Sequence, residues 1–167
     1  MDKYKERLVK GKPGNEVFAI MAVGALLVAG GIAVMLLVHA LGFFLLPIGG
    51  ILIWQGLQHM HVEYEYLIVN GDIEISRIVN KNSRKILREI TVENILRVAP
   101  LSNDRVKNDL EVNNRRKVID YTDGTGGELY FVVFERDKEK ESAYILDLDE
   151  ECVELLAETL KRKFERK

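Results

Sequence analysis

The feature that most limits the fold of this chain is a long stretch without charged side chains. No Asp, Glu, Lys or Arg occurs from Val17 to Gln58, so all 24 basic and 26 acidic residues lie in the flanking segments. A bilayer core about 30 Å thick is crossed by roughly 20 helical residues. The uncharged stretch is therefore long enough for two crossings, and it predicts a pair of membrane-spanning helices.

The polar His39 and the nearby Gly42 lie close to the middle of this stretch and predict the turn between the helices. We place the first span at residues 17–38 and the second at 42–58. The second span contains Pro47, which predicts a bend in that helix. The sequence "VHA" at residues 38–40 has the small-residue spacing of a signal-peptide cleavage site. Because the apolar stretch is longer than that of a signal peptide and a second span follows at once, we expect both helices to be retained.

Small residues recur along the first span and give it a smooth side. Such a side allows close approach of another helix, which is either the second span or a helix of another copy. The residues concerned are Ala22, Gly24, Ala25, Ala29, Gly30 and Ala33.

The charges beside the spans predict the orientation of the chain. Residues 1–16 hold more basic than acidic side chains, and the inter-helix turn holds none. The positive-inside rule then places the N-terminus in the cytoplasm, and two crossings return the chain there. We predict membrane-interface contacts for the basic side chains of this segment and for polar and aromatic side chains near the end of the second span: Lys3, Lys5, Arg7, Lys10, Lys12, Trp54, His59 and His61.

Residue types that carry chemistry are few. His59 and His61 are two residues apart, but no third ligand is spaced to complete a metal site. Cys152 lies at the start of a predicted helix, where the dipole lowers a thiol pKa, but the adjacent glutamates oppose that effect. As the single cysteine, it cannot form an internal disulfide, which suits a reducing compartment. We therefore predict no catalytic residue, no metal site and no cofactor.

The residues after Gln58 predict a sheet. "VEYEYLIV" alternates, and the Asn70–Gly71 pair that follows it is typical of a type I′ hairpin turn into "DIEISRIV". Further strands are expected at residues 85–90, 94–99, 118–122, 128–135 and 142–148. Short connections indicate an antiparallel meander of about seven strands. The polar segment 101–117 is interpreted as an excursion or frayed loop.

A single amphipathic helix is predicted at the C-terminus. Asp147 or Asp149 is placed to cap its start. The helical spacing of apolar residues defines its buried stripe, which consists of Val153, Leu156, Leu160 and Phe164.

This order of elements resembles a pleckstrin-homology (PH) domain. The sequence also resembles a family of small bacterial membrane proteins of unknown function, most strongly in "VEYEYLIVNGDIEISRIVNKNSRKILREITVENILRVAP". The resemblance implies a membrane α-helical hairpin joined to a mainly-β PH-like domain with orthogonal sheets and a C-terminal α-helix. It implies three parts, a basic segment (1–16), a two-span hairpin (17–58) and a PH-like cytoplasmic domain (62–167), in the bacterial plasma membrane with both termini cytoplasmic.

The charge pattern narrows the expected partners. A net charge of −2 and a pI near 6.0 give no reason to expect nucleic acid. Phosphoinositide-binding PH domains gather basic residues in the first hairpin loop, whereas the loop "NGD" here has none, so no specific phosphoinositide site is expected. Three basic clusters are interpreted as solvated faces that attract anionic lipid if they face a membrane. They are Lys81, Arg84, Lys85 and Arg88; Arg115, Arg116 and Lys117; and Lys161, Arg162 and Lys163.

These observations predict a membrane-anchored PH-like binding or scaffolding module and not an enzyme. Its expected partners are membrane lipids, through the hairpin, and a protein partner or a second copy of the chain. The alternative is an accessory subunit of a membrane transporter or of an envelope-assembly complex, with specificity in the transmembrane hairpin.

Overall fold

A computed structural model of the chain describes residues 4–37, 40–112, 116–125 and 129–165. Lys3, His39, Arg115 and the start of the predicted strand at 128–135 lie outside these ranges. The described residues form eight β-strands and four α-helices: β1 (Tyr4–Lys10), α1 (Asn15–Leu37), α2 (Leu45–Gln58), β2 (Val62–Val69), β3 (Asp72–Val79), β4 (Ser83–Ile90), β5 (Ile95–Pro100), α3 (Asp104–Val112), β6 (Lys117–Asp120), β7 (Tyr130–Asp137), β8 (Lys140–Asp147) and α4 (Glu150–Leu160).

The chain divides into two compact units. The helical unit contains α1, α2 and the β3–β4 turn at residues 79–83. The sheet unit contains the strands, α3 and α4.

The helical unit matches the two predicted spans. Asn15–Leu37 and Leu41–Gln58 are long and apolar enough to cross a membrane. A 3₁₀ turn at Ala40–Phe44 leads into α2, so Pro47 lies in the first turn of that helix. Because the first turn has no intrahelical partner for its N–H groups, Pro47 is compatible with the helix start. Pro47 therefore does not require the bend that was predicted within the second helix.

The two helices pack through glycine. A Cβ added at Gly24 would lie 2.9 Å from the carbonyl oxygen of Gly49, and one added at Gly31 would lie 2.9 Å from that of Gly42. The backbones are therefore in close contact, as small residues permit. Of the small residues singled out in the first span, Gly24 lies at this contact, whereas the four alanines are exposed.

The sheet unit has two four-stranded sheets, with orders β1-β2-β3-β4 and β5-β7-β8-β6. The turn at Asn70 and Gly71 has positive φ at both residues, as the type I′ prediction requires. The main core lies between the inward faces of the strands and α4, with Tyr66, Ile75 and Leu156 fully buried. Asp149 caps α4 by accepting from the Cys152 N–H at 2.8 Å.

Three features of the sheet unit differ from the prediction. β1 is an eighth strand, which pairs antiparallel with β2 from Tyr4↔Val69 to Lys10↔Glu63. Segment 104–112 is a helix rather than a loop, because Val106 is buried with Ala99, Val132 and other residues of the second sheet. β6 pairs parallel with β8, so the second sheet is not a meander. β7 lies between these two parallel strands in the chain, whereas α3 lies in the connection from β5 at one edge of the sheet to β6 at the other.

Candidate functional site

A cleft of about 300 Å³ lies at one corner of the sheet unit. It opens between β4 and β6, each of which is an edge strand of its sheet. Residues from β4, β6, the loop after it, β7 and β8 line it: Leu87, Arg88, Lys117, Ile119, Tyr121, Asp137, Lys140, Ser142 and Tyr144.

A buried carboxylate fixes the basic side chain at the base of the cleft. Glu135, only 1 % exposed, accepts two hydrogen bonds from Arg88, at 3.0 Å from Nε and 2.6 Å from Nη2. Arg88 Nη2 also donates to Asp137 at 3.0 Å. These carboxylates raise the Arg88 pKa, chiefly through the hydrogen bonds to Glu135. The guanidinium is therefore charged at any physiological pH and held in one orientation.

Tyrosines form the wall beside this pair. The Tyr144 hydroxyl donates to Glu135 at 2.9 Å, and burial followed by this hydrogen bond raises the Tyr144 pKa to about 12. The rings of Tyr121 and Tyr144 stack with centroids 6.0 Å apart. Tyr66 secures the backbone of this wall by donating to the Tyr121 carbonyl at 2.6 Å. The wall is thus rigid, and its hydroxyls are neutral at pH 7.

Two lysines at the cleft lack a carboxylate partner among the described residues. Lys117 lies on β6 opposite Ser142, and Lys140 begins β8 opposite Asp137. The carboxylate of Asp137 is bonded to Arg88. The lysine charges are therefore available to a ligand.

The outer edge of β6 offers backbone groups as well. The Tyr121 N–H donates to the Ile145 carbonyl at 3.1 Å, which directs that residue's backbone toward β8. The direction of the backbone N–H and C=O groups alternates from residue to residue along a strand, so these groups of Lys117 and Ile119 also point toward β8. The N–H and C=O groups of Val118 and Asp120 then point away from β8, toward the free edge.

The predicted interface residues of the N-terminal segment divide into two groups. Arg7 lies on β1 and donates to the Asp147 carbonyl at 2.8 Å, to the Asp147 carboxylate at 3.0 Å and to Asp149 at 3.3 Å. Lys5 forms an ion pair with Glu151. These two side chains therefore tie β1 to the start of α4. Lys10 and Lys12 are exposed.

The predicted interface residues of the second helix are solvent-accessible. Trp54 is 62 % exposed on α2. His59 follows the last turn, where its Nδ1 lies 2.8 Å from the Gln55 carbonyl, and His61 is exposed. Among the described residues, no three His, Cys, Asp or Glu side chains group as a metal site. Lipid contact of all these residues remains a prediction.

Each predicted basic cluster has at least one side chain that is bonded within the sheet unit. Arg84 pairs with Glu65 at 2.6 Å, and Lys163 donates to the Val92 carbonyl at 2.8 Å. Arg116 pairs with Glu141 at 2.8 Å. Contacts within the fold therefore account for Arg84, Arg116 and Lys163 without a lipid surface.

Cys152 is fully buried in the core. Burial, followed by the nearby Asp149 carboxylate, raises its pKa to about 12. A thiol in this state is a poor nucleophile.

Sequence reasoning did not identify the cleft, because its parts come from distant segments. The one available signal was Glu135, a carboxylate that directly follows the apolar run "YFVVF". A charged residue in a buried strand requires a partner, but nothing in the sequence indicates that the partner is Arg88.

Comparison with known proteins identifies the family but no individual relative. The family model described as "Bacterial PH-like domain (DUF6106)" matches residues 1–166. This match confirms the predicted PH-like fold class and the resemblance to bacterial membrane proteins. Neither a curated protein nor a solved structure matches the chain.

Proposed function

Because the chain belongs to the bacterial PH-like domain family DUF6106, we propose that it is a membrane-anchored module that binds or arranges protein partners at a bilayer. The helical hairpin holds the sheet unit at the membrane, and the sheet unit selects the partner. Membership of the family fixes a fold and not an activity, and features of this chain itself support the proposed function.

The position of the hairpin in the chain carries this proposal. α1 and α2 lie between β1 and β2 in the chain, and these two strands pair with each other over seven residues. Only residues 11–14 and 59–61 connect the helices to these strands. The hairpin is therefore part of the sheet's own connectivity, and not a leader that precedes a separate domain. Such a connection suits a module whose placement at the membrane matters.

The cleft favours binding over catalysis. Its arginine is held in ion pairs with Glu135 and Asp137, and its tyrosine hydroxyls are neutral. The cysteine lies in the core with a raised pKa. What the cleft presents is two lysines and the open edge of a strand, which are features of a recognition site.

We also propose that both termini lie in the cytoplasm of the bacterial plasma membrane, since residues 1–16 are basic and the inter-helix turn is uncharged. A cysteine introduced at Leu41, with Cys152 replaced by Ser, should react with an impermeant maleimide in intact cells. A cysteine introduced at Lys10 should react only after lysis. Labelling of the Lys10 position in intact cells would refute this orientation.

Exchange of the hairpin tests which part selects partners. Residues 15–58 are replaced by an unrelated two-helix hairpin, and partners are identified by crosslinking and mass spectrometry in the native membrane. The same partners should be recovered from the wild type and the exchange variant. Loss of those partners, with the variant still inserted and folded, would refute the proposal in favour of an accessory subunit whose hairpin supplies specificity.

A further inference from the structure

We propose that the β4–β6 cleft binds an extended segment of a partner protein, which adds to β6 as a new edge strand and carries an acidic and an apolar side chain two residues apart. The inference rests on the binding function proposed above and specifies its ligand. It follows from three properties of the cleft: a free strand edge, unpaired positive charge and an adjacent apolar surface.

The free edge comes from the order of the second sheet. β6 is its last strand and pairs only with β8 among the described residues. The backbone groups of Val118 and Asp120 therefore face outward and can pair with an incoming strand. Addition of a strand to an exposed edge supplies main-chain hydrogen bonds that do not depend on the ligand's side chains.

The charge of the cleft selects the sign of the ligand. Lys117 and Lys140 have no carboxylate partner in the described part of the chain, whereas Asp137 and Glu135 are both bonded to Arg88. Three basic side chains, Arg88, Lys117 and Lys140, and two carboxylates, Glu135 and Asp137, leave one net positive charge at the cleft. This charge attracts an acidic side chain of a ligand and repels a basic one.

The spacing along β6 selects the ligand's pattern. Lys117 and Ile119 both line the cleft, and residues two apart on a strand lie roughly 6.5–7 Å apart on the same face. A strand alongside β6 therefore places one side chain beside Lys117 and the next of the same face beside Ile119. Leu87 and Tyr121 extend the apolar surface around Ile119. The favoured ligand is thus acidic at one position and apolar two residues away.

Selection of peptides on the full-length protein tests this inference. A phage-displayed library of random eight-residue peptides is selected on the protein in lipid nanodiscs. We expect enrichment of peptides that alternate Asp or Glu with an aliphatic or aromatic residue two positions away. An enriched peptide should bind the protein variant Lys117→Glu/Lys140→Glu at least tenfold more weakly than the wild type. A peptide with proline between its acidic and apolar positions should likewise bind the wild-type protein at least tenfold more weakly. The same peptide with Lys in place of its acidic residue should bind the double variant better than the wild type.

A matched double variant controls for net charge. Lys107→Glu/Lys138→Glu makes the same charge change on α3 and at the β7–β8 turn, outside the cleft, and should leave binding unchanged. If Lys117→Glu/Lys140→Glu does not fold, Lys117→Gln/Lys140→Gln removes the charges without repulsion and should still weaken binding.

Several results would overturn the inference. They are failure to enrich any peptide, enrichment of peptides without the alternation, and equal binding to the wild type and the cleft variant. Concentration-dependent dimerisation that the cleft variant abolishes would identify a second copy as the occupant and would overturn the partner segment as well. None of these results alters the outcome of the hairpin exchange, so failure of this inference is distinguishable from failure of the proposed function.

Discussion

Arg7 is the residue that links the N-terminal strand to the C-terminal helix. Its guanidinium contacts a carbonyl and a carboxylate of Asp147 and the carboxylate of Asp149. Burial alone would lower the Arg7 pKa, but these groups raise it overall. We expect Arg7→Ala to lower the free energy of unfolding by about 1–3 kcal/mol, since charged hydrogen bonds are lost and two carboxylates lose a partner. Lys10→Ala, at an exposed site on the same strand, should change it by less than about 0.5 kcal/mol.

Pulsed alkylation of the single, buried Cys152 as a function of denaturant provides the measurement, because the thiol becomes accessible when the core opens. Equal midpoints for Arg7→Ala and Lys10→Ala would contradict a structural role for the Arg7 contacts.

The contacts of Asp149 with Arg7 and with the Cys152 N–H depend on pH. Burial alone would raise its pKa, but the Cys152 N–H and the nearby Arg7 lower it below the ordinary 3.8. The Asp149 carboxylate therefore takes up a proton at a higher pH in the unfolded chain than in the folded chain. The stabilisation is present above pH 3.8 and is lost as the pH falls through the lower, folded pKa.

Asp149→Asn retains an oxygen to cap α4 but does not titrate. The difference in stability between the wild type and Asp149→Asn should therefore shrink as the pH is lowered below about 4. Denaturation of both proteins at pH 7 and pH 3 measures it, and a difference that is constant between these pH values would contradict the assignment.

The state of Cys152 can be tested separately from stability. With a pKa of about 12 and no exposed surface, the thiol should react with iodoacetamide at pH 8 at least about 100-fold more slowly in the folded protein than in denaturant. A cysteine placed at the exposed Val112, with Cys152 replaced by Ser, should react at similar rates in both states. Rapid alkylation of Cys152 in the folded protein would indicate a reactive thiol and would contradict the raised pKa.

At the scale of elements, α3 offers an internal comparison. Val106 and Val112 lie on the same helix, but Val106 is 0 % exposed and Val112 is 83 % exposed. Val106→Ala should destabilise the protein by about 1–3 kcal/mol, because it leaves a cavity against the second sheet. Val112→Ala should change stability by less than about 0.5 kcal/mol. If both substitutions had the same effect in denaturant titration, α3 would not be packed on the sheet.

The elements that could be predicted from sequence are those whose apolar pattern is local. The two spans, the hairpin at Asn70 and Gly71 and the stripe of α4 each follow from spacing within one segment. β1 was missed because its inward side chains include Lys5 and Arg7, whose partners lie far along the chain. The prediction of α3 failed because few apolar residues mark its buried face.

The cleft was beyond sequence reasoning for a related reason. Arg88 and Glu135 are paired by the association of two sheets and not by any local pattern. The placement of β6 beside β8, and not beside β7, which follows it in the chain, is likewise a pairing of non-consecutive strands that the meander prediction lacked. Contacts that form only after the sheets associate leave no periodicity in the sequence.

The helical hairpin provides a second comparison, between adjacent glycines. A Cβ at Gly31 would lie 2.9 Å from both the Gly42 carbonyl oxygen and the Leu45 Cβ, whereas one at Gly30 would have nothing within 4 Å. Gly31→Ala should therefore separate the helices and lower the thermal stability of the protein in detergent. Gly30→Ala should be neutral or slightly stabilising, since alanine is the better helix former. Equal effects of the two substitutions would contradict the close backbone contact.

At the scale of the whole molecule, the decisive feature is that the hairpin joins the sheet unit twice. The sequence suggested one short connection, at the end of the second span. Because β1 pairs with β2, residues 11–14 form a second connection, and it begins directly after the strand. Two short connections restrict rotation about either one, so a single flexible insertion should not free the sheet unit from the hairpin.

Flexible insertions at the two connections test whether this restriction matters. A Gly/Ser segment of ten residues spans roughly 16–19 Å on average and permits free rotation. We insert it between Lys12 and Pro13, between His59 and Met60, or at both sites. Lengthening these connections should cost little stability, since loop-closure entropy rises slowly with length, and pulsed alkylation of Cys152 verifies that the core is intact.

Each single insertion should retain most crosslinking to the native partners, whereas the double insertion should reduce it at least fivefold. Full crosslinking by the double insertion would show that the hairpin only concentrates the sheet unit at the membrane. Loss of crosslinking with the second insertion alone would show that the connection after β1 contributes no restraint.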